Sequence, residues 1–152
     1  MIQRIQTLFL LFALVLQTLM LFLPFAEFSV GDQLVIFSAS GLTSEALKNE
    51  HMMLLVAFFI FICLSVLIPL VTIFLFKRRQ SQMRLCVYNI IILLGFQVVL
   101  FWFSWTVMSQ LNAIVNYKIS LVFPVVSAIL SYLAFLSVRK DERLIRSIDR
   151  IR

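Results

Sequence analysis

Chemistry at a protein site needs a nucleophile, an acid–base pair, a cluster of metal ligands or a phosphate cradle. This sequence offers few of those parts. Its single histidine, His51, stands next to Glu50 and close to Glu45, and these three alone could move a proton together. Side chains of these types in a polar connection are ordinarily just solvated. No H-E-x-x-H, G-x-S-x-G, Walker A or dinucleotide fingerprint occurs. Gly31, Gly41 and Gly95 are isolated, so no glycine-rich loop can cradle a phosphate. Cys63 and Cys86 have no Cys or His partner at metal-site or disulfide spacing, and read as packing residues. The expectation is a non-enzyme, with no catalytic, cofactor-binding or metal-ligating residues and no cofactor.

A second set of polar residues stands inside long apolar runs: Gln17 and Thr18, Ser65 and Thr72, then Asn89, Gln97 and Ser104. At about 100° per residue the last three fall within about 80° of one another on a helix. Gln17, Asn89, Gln97 and Ser104 are therefore the candidate intramembrane polar contacts. They read first as interhelical hydrogen bonds, each contributing about 0.6 kcal/mol. The alternative is a polar lane for a small substrate. Ion and proton pathways usually carry ionisable groups at membrane depth, and the apolar runs contain none.

Charge is the third resource. The chain carries 13 Lys and Arg against 7 Asp and Glu. Lys77, Arg78, Arg79 and Arg84 form one cluster, and Arg139, Lys140, Arg143, Arg146, Arg150 and Arg152 another. All ten are candidate lipid- or partner-binding residues. Anionic headgroups come first as their partner, since each surface cation contributes about 1 kcal/mol beside them. A larger inner-membrane complex comes second. Nucleic acid is not expected, because the aromatic interleaving that stacks bases is missing.

The elements that must position these residues are set by hydropathy. Of 152 residues, 62% are hydrophobic, and the mean hydropathy is +1.06. The apolar residues gather into four blocks, and a span needs roughly 20 helical residues. The reading is one membrane domain over 1–152, with spans at 5–24, 52–76, 85–108 and 119–138. Outer connections cover 25–51 and 109–118, an inner connection covers 77–84, and a basic tail covers 139–152. The first block exceeds the core of a signal peptide and lacks an A-x-A-like site, so it reads as a retained anchor.

Orientation follows the cations. With Arg4 included, eleven Lys and Arg fall on one side, and only Lys48 and Lys118 on the other. The second side also holds Glu27, Asp32, Glu45 and Glu50. The basic side is therefore read as cytoplasmic, with both termini there.

Finer features follow the same rules. Residues 25–38 read as strand, Gly31–Asp32 turn, strand, a short hairpin lying on the outer helix ends. Residues 43–47 read as a helix start. Pro69 and Pro124 are placed to bend their helices, and Pro24 to end the first. Trp102, Trp105 and Tyr117 read as outer-interface anchors. Ser120, Ser127, Ser131 and Ala134 form a small-residue stripe for close helix packing. The tail reads as an amphipathic basic helix at the membrane surface, with Leu144, Ile145, Ile148 and Ile151 on one face. The fold class is thus an all-α four-helix membrane bundle with a small hairpin and a basic C-terminal helix.

Two end motifs add a resemblance. Ile2-Gln3-Arg4-Ile5-Gln6-Thr7 at the start, and Arg139-Lys140-Asp141-Glu142 with Ser147-Ile148-Asp149-Arg150 at the end, resemble the four-helix membrane family catalogued as domain of unknown function 4293. The resemblance covers the whole chain. It implies a bacterial inner-membrane protein, chiefly of Bacteroidota, with no known activity. The outer hairpin also resembles claudin-like four-span proteins, but their paired loop cysteines are missing, which leaves an architectural analogy. The functional expectation is a non-enzymatic accessory or scaffold subunit acting through helix packing and its basic tail. The alternative is a small transporter or channel.

Overall fold

Backbone N–H and C=O groups inside hydrocarbon must be paired within the chain, and a long apolar run achieves this as a helix. The computed structural model describes residues 3–30, 33–44, 52–75 and 78–149. Four helices account for most of it: α1 (Gln3–Leu19), α2 (Met52–Phe74), α3 (Arg79–Leu111) and α4 (Phe123–Asp149). Four strands fill the connections: β1 (Ala26–Val30), β2 (Gln33–Ser38), β3 (Gly41–Leu42) and β4 (Ile114–Tyr117). A short 3-10 helix, Ile119–Val122, leads into α4.

Three stretches are long and apolar enough to cross a membrane: Met52–Phe74, Arg79–Gln110 and Ile119–Leu144. The first apolar block differs from expectation. The expected span runs to Pro24, but α1 stops at Leu19, and its 17 residues reach only about 25 Å. Beyond it the chain tightens into i→i+3 turns, with Leu21 N–H donating to the Thr18 carbonyl at 3.1 Å and Phe22 N–H to that of Leu19 at 3.1 Å.

Two later helices run past the expected span ends. α3 starts at Arg79, inside the expected inner connection, and α4 runs on through the tail to Asp149. Residues 79–84 and 139–149 hold no Gly or Pro, and Arg and Gln recur in them alongside Met83, Lys140, Glu142 and Leu144, so helix propensity carries through them. The tail is thus the continuation of α4 rather than a separate element. Pro124 stands in the first turn of α4, where a missing N–H costs nothing, and Pro69 lies inside α2. Asn112, in the left-handed region at φ 47°, ends α3 with its N–H on the Met108 carbonyl.

The helices form a ring in the order α1–α4–α3–α2, each packed on its two neighbours. Neighbours run antiparallel. Gln6 of α1 meets Asp141 of α4 at one end, while Ser120, just before α4, reaches Pro24, just after α1, at the other.

The strands make one antiparallel sheet in the order β3-β2-β1-β4. The expected hairpin is its centre. Val30 pairs with Gln33, so two residues, Gly31 and Asp32, join β1 to β2, and both lie outside the described residues. The remaining strands go beyond the expected two. β4 comes from the connection after α3 and pairs with β1, Phe28 opposite Val115. Lys118 locks this seam, donating N–H to the Phe25 carbonyl at 3.0 Å while its Nζ lies 2.8 Å from Glu27 Oε1. β3 folds back on β2, with Ser38 paired to Gly41, whose φ of 120° suits glycine.

Alternation along the strands points Phe28, Val35 and Phe37 down onto the helices. There they join Phe25, Phe58, Phe96 and Phe103 in one buried cluster. Phe37 sits at its centre, with ring centroids 5.5 Å from Phe25, 5.4 Å from Phe58 and 4.8 Å from Phe103. Such ring pairs add about 0.5–1.5 kcal/mol beyond burial. Phe37→Ala is expected to lower stability in detergent by about 3–5 kcal/mol. Phe59→Ala, at a half-exposed position of α2, should cost far less; thermal unfolding of both variants checks this contrast.

Candidate functional site

Two regions hold the candidate polar side chains: the bundle interior and the helix ends opposite the sheet. The interior is layered. Leu10, Cys86 and Ala134 pack together toward the basic end. One turn nearer the sheet, Asn89 Nδ2 donates to Ser131 Oγ at 2.9 Å, joining α3 to α4. Gln17 lies seven residues beyond Leu10 and Ser127 seven before Ala134, so both stand about 10 Å from that layer. Gln17, Ser127 and Ser131 are fully buried. Gln97 and Ser104 follow along α3 toward the phenylalanines, also buried.

The polar residues divide by how they are satisfied. Thr18 bonds back to the Leu14 carbonyl, Ser65 to Ile62 and Thr72 to Ile68, each within its own helix. Asn89 finds Ser131. Gln17 Nε2 and Oε1, Asn89 Oδ1, Gln97 Oε1, Ser104 Oγ, Ser127 Oγ and Asp141 Oδ1 have no hydrogen-bond partner among the described residues. The candidate contacts Gln17, Asn89, Gln97 and Ser104 are therefore all interior, but only Asn89 makes the interhelical bond the sequence suggested. The small-residue stripe Ser120, Ser127, Ser131 and Ala134 is buried along its whole length, an internal seam rather than a free face.

Below the Leu10 layer, Gln6 Nε2 donates to Asp141 Oδ2, and both side chains are buried. This α1–α4 tie was not foreseen. Its signal was there, an amide at the polar edge of an apolar block and an acid inside a basic run. Nothing in the sequence said that they meet. Gln82 is buried nearby in α3, and Arg79 Nη1 is buried without a hydrogen-bond partner among the described residues.

The basic residues separate. Arg84, Arg139 and Arg143 line one groove between α3 and α4, about 720 Å³ in volume, together with Tyr88, Phe135 and Glu142. Arg78 and Lys140, exposed like the three groove arginines, do not line it. Lys77, Arg150 and Arg152 lie outside the described residues, as does the side chain of Arg146. So do Glu45, Glu50, His51, Lys48 and all but the first two residues of the expected helix start at 43–47. Trp102, Trp105 and Tyr117 are exposed at the sheet end, and the Tyr117 ring lies 6.5 Å from that of Phe101.

The exterior of the helices is oily, for example Ile91 at 61% and Val98 at 68% exposure, while the interior holds amides and hydroxyls. An apolar surface of this extent belongs against lipid. The class is accordingly a mostly helical membrane protein with a small sheet. Over residues 2–151 the chain matches the family described as Domain of unknown function (DUF4293), and it belongs to that family. No curated protein matches it.

Swapping polar interior residues for leucine separates a side chain that bridges two helices from one that bonds to nothing among the described residues. Gln17→Leu removes two unpaired buried atoms at similar volume and is expected to raise the unfolding temperature in detergent. Asn89→Leu breaks the bond to Ser131 and is expected to cost about 0.5–1.5 kcal/mol. Parallel thermal melts of the two variants read the opposite signs directly.

Proposed function

We propose that this protein is a non-enzymatic accessory or scaffold subunit of the bacterial inner membrane, acting through contacts rather than transport or catalysis. The single observation that supports it most is the sheet end of the bundle. Six phenylalanines, roofed by a four-stranded sheet, fill the space between the helices there. A bundle filled in this way leaves its outward-facing surfaces as the means of action: apolar helix faces, the sheet, and the basic helix ends.

In this reading α1 and its following turns complete a fourth span, giving four spans with both termini in the cytoplasm. The positive-inside rule supports that orientation, since the basic clusters flank the helix ends opposite the sheet. An open sheet has edges with unpaired backbone groups, and these are not tolerated in hydrocarbon. That supports a place for it at the outer surface, with Trp102, Trp105 and Tyr117 at headgroup level. The basic ends then meet anionic headgroups and a cytoplasmic partner.

One observation favours a second reading, a small transporter or channel. Gln17, Gln97, Ser104 and Ser127 are buried polar residues with unpaired atoms, and such groups are expensive unless water or a ligand meets them. Flux of small polar solutes through reconstituted vesicles, abolished by Gln17→Leu, would favour it.

Purification of the tagged chain from native membranes in mild detergent tests the accessory role. The expected outcome is a reproducible membrane-protein partner at near-stoichiometric yield. Consistent recovery as an isolated monomer or homo-oligomer contradicts it.

A further inference from the structure

The groove between α3 and α4 has a polarity gradient along the helix axes. Arg84 stands one turn before Tyr88 on α3, and Phe135 one turn before Arg139 on α4. Because the two helices are antiparallel, both arginines lie toward the basic end and both rings lie toward the sheet. Arg143 extends the basic rim by a further turn, and Val87 adds to the apolar wall. About 6 Å separates rim from wall along the axis. Three guanidinium groups against the single carboxylate of Glu142 leave the rim net positive.

We propose that this groove is a binding site for an anionic phospholipid, its phosphate held at Arg84, Arg139 and Arg143 and its first acyl carbons laid against Val87, Tyr88 and Phe135. Guanidinium groups suit the phosphate because their forked N–H donors can grip two oxygens at once. The rim alone would serve any soluble anion. The apolar wall immediately beneath it distinguishes a lipid, whose charge and hydrocarbon are joined at that spacing. The orientation also fits, since a rim at the helix ends and a wall deeper along them matches headgroup above tail. This deepens the proposed contact role by naming one contact, and rests only on the membrane setting of that reading.

The test is native mass spectrometry of the full chain in detergent, titrated with phosphatidylglycerol or phosphatidylcholine. Phosphatidylglycerol is expected to bind at least tenfold more tightly. The triple variant R84Q/R139Q/R143Q should lose that preference. R78Q/K140Q, which removes two exposed cations outside the groove, should retain it within about twofold. Val87→Trp fills the wall without touching charge and should also weaken phosphatidylglycerol at least tenfold.

Equal losses in the two charge variants would mean diffuse attraction and overturn the site. Displacement by millimolar inorganic phosphate, with Val87→Trp unaffected, would identify a free-anion site and overturn the lipid. An unchanged unfolding temperature in each variant ties any loss to the groove. Because the assay scores lipid adducts and no protein partner, its failure is distinct from failure of the accessory role.

Discussion

Everything in this fold follows from the requirement that backbone polar groups be paired wherever water is excluded. Helices satisfy it internally, so the apolar runs became helices whose outward faces can be oily. A sheet with open edges does not satisfy it, so the strands gather at one end, where the chain leaves the helices. The phenylalanine cluster joins the two regimes. Its rings come from the sheet and from the helices beneath, so the roof and the bundle share one core.

The polar interior obeys the same accounting less completely. Thr18, Ser65 and Thr72 bond to carbonyls of their own helices and need no neighbour. Asn89 and Ser131 meet across the α3–α4 seam, and Gln6 and Asp141 across α1–α4. Gln17, Gln97, Ser104 and Ser127, together with one atom each of Arg79, Asn89 and Asp141, hold buried atoms without partners among the described residues and mark where the bundle departs from full satisfaction. That departure is what keeps a transport reading in view beside the accessory one, since native structures leave few such groups unpaired.

Hydropathy made the apolar helices legible because a run of some twenty apolar residues has few other uses. The β1–β2 hairpin was legible from a two-residue Gly-Asp connection between β-forming runs. β4 was harder, although Ile114-Val115-Asn116-Tyr117 has strand character. Its pairing with Phe28 is set by closure of the whole bundle and leaves no local trace. Span ends and helix ends differ for a related reason. The charges at Arg79–Arg84 and Arg139–Asp149 mark where the chain leaves the hydrocarbon, yet Arg, Gln and Glu propagate helices well, so α3 and α4 continue through them without a break. The basic side chains were visible as a set, but their division into groove and surface depends on how α3 and α4 face each other.

The central claim is that this bundle lies in a membrane with its basic helix ends inside and its sheet outside. Single cysteines at Ser40, in the β2–β3 turn, and at Lys140, near the basic end, test it in a background with Cys63 and Cys86 replaced. A membrane-impermeant maleimide applied to spheroplasts is predicted to label Ser40→Cys at once, and Lys140→Cys only after the membrane is broken. Immediate labelling at Lys140→Cys, or release of the chain from membranes by alkaline carbonate without detergent, would contradict the account.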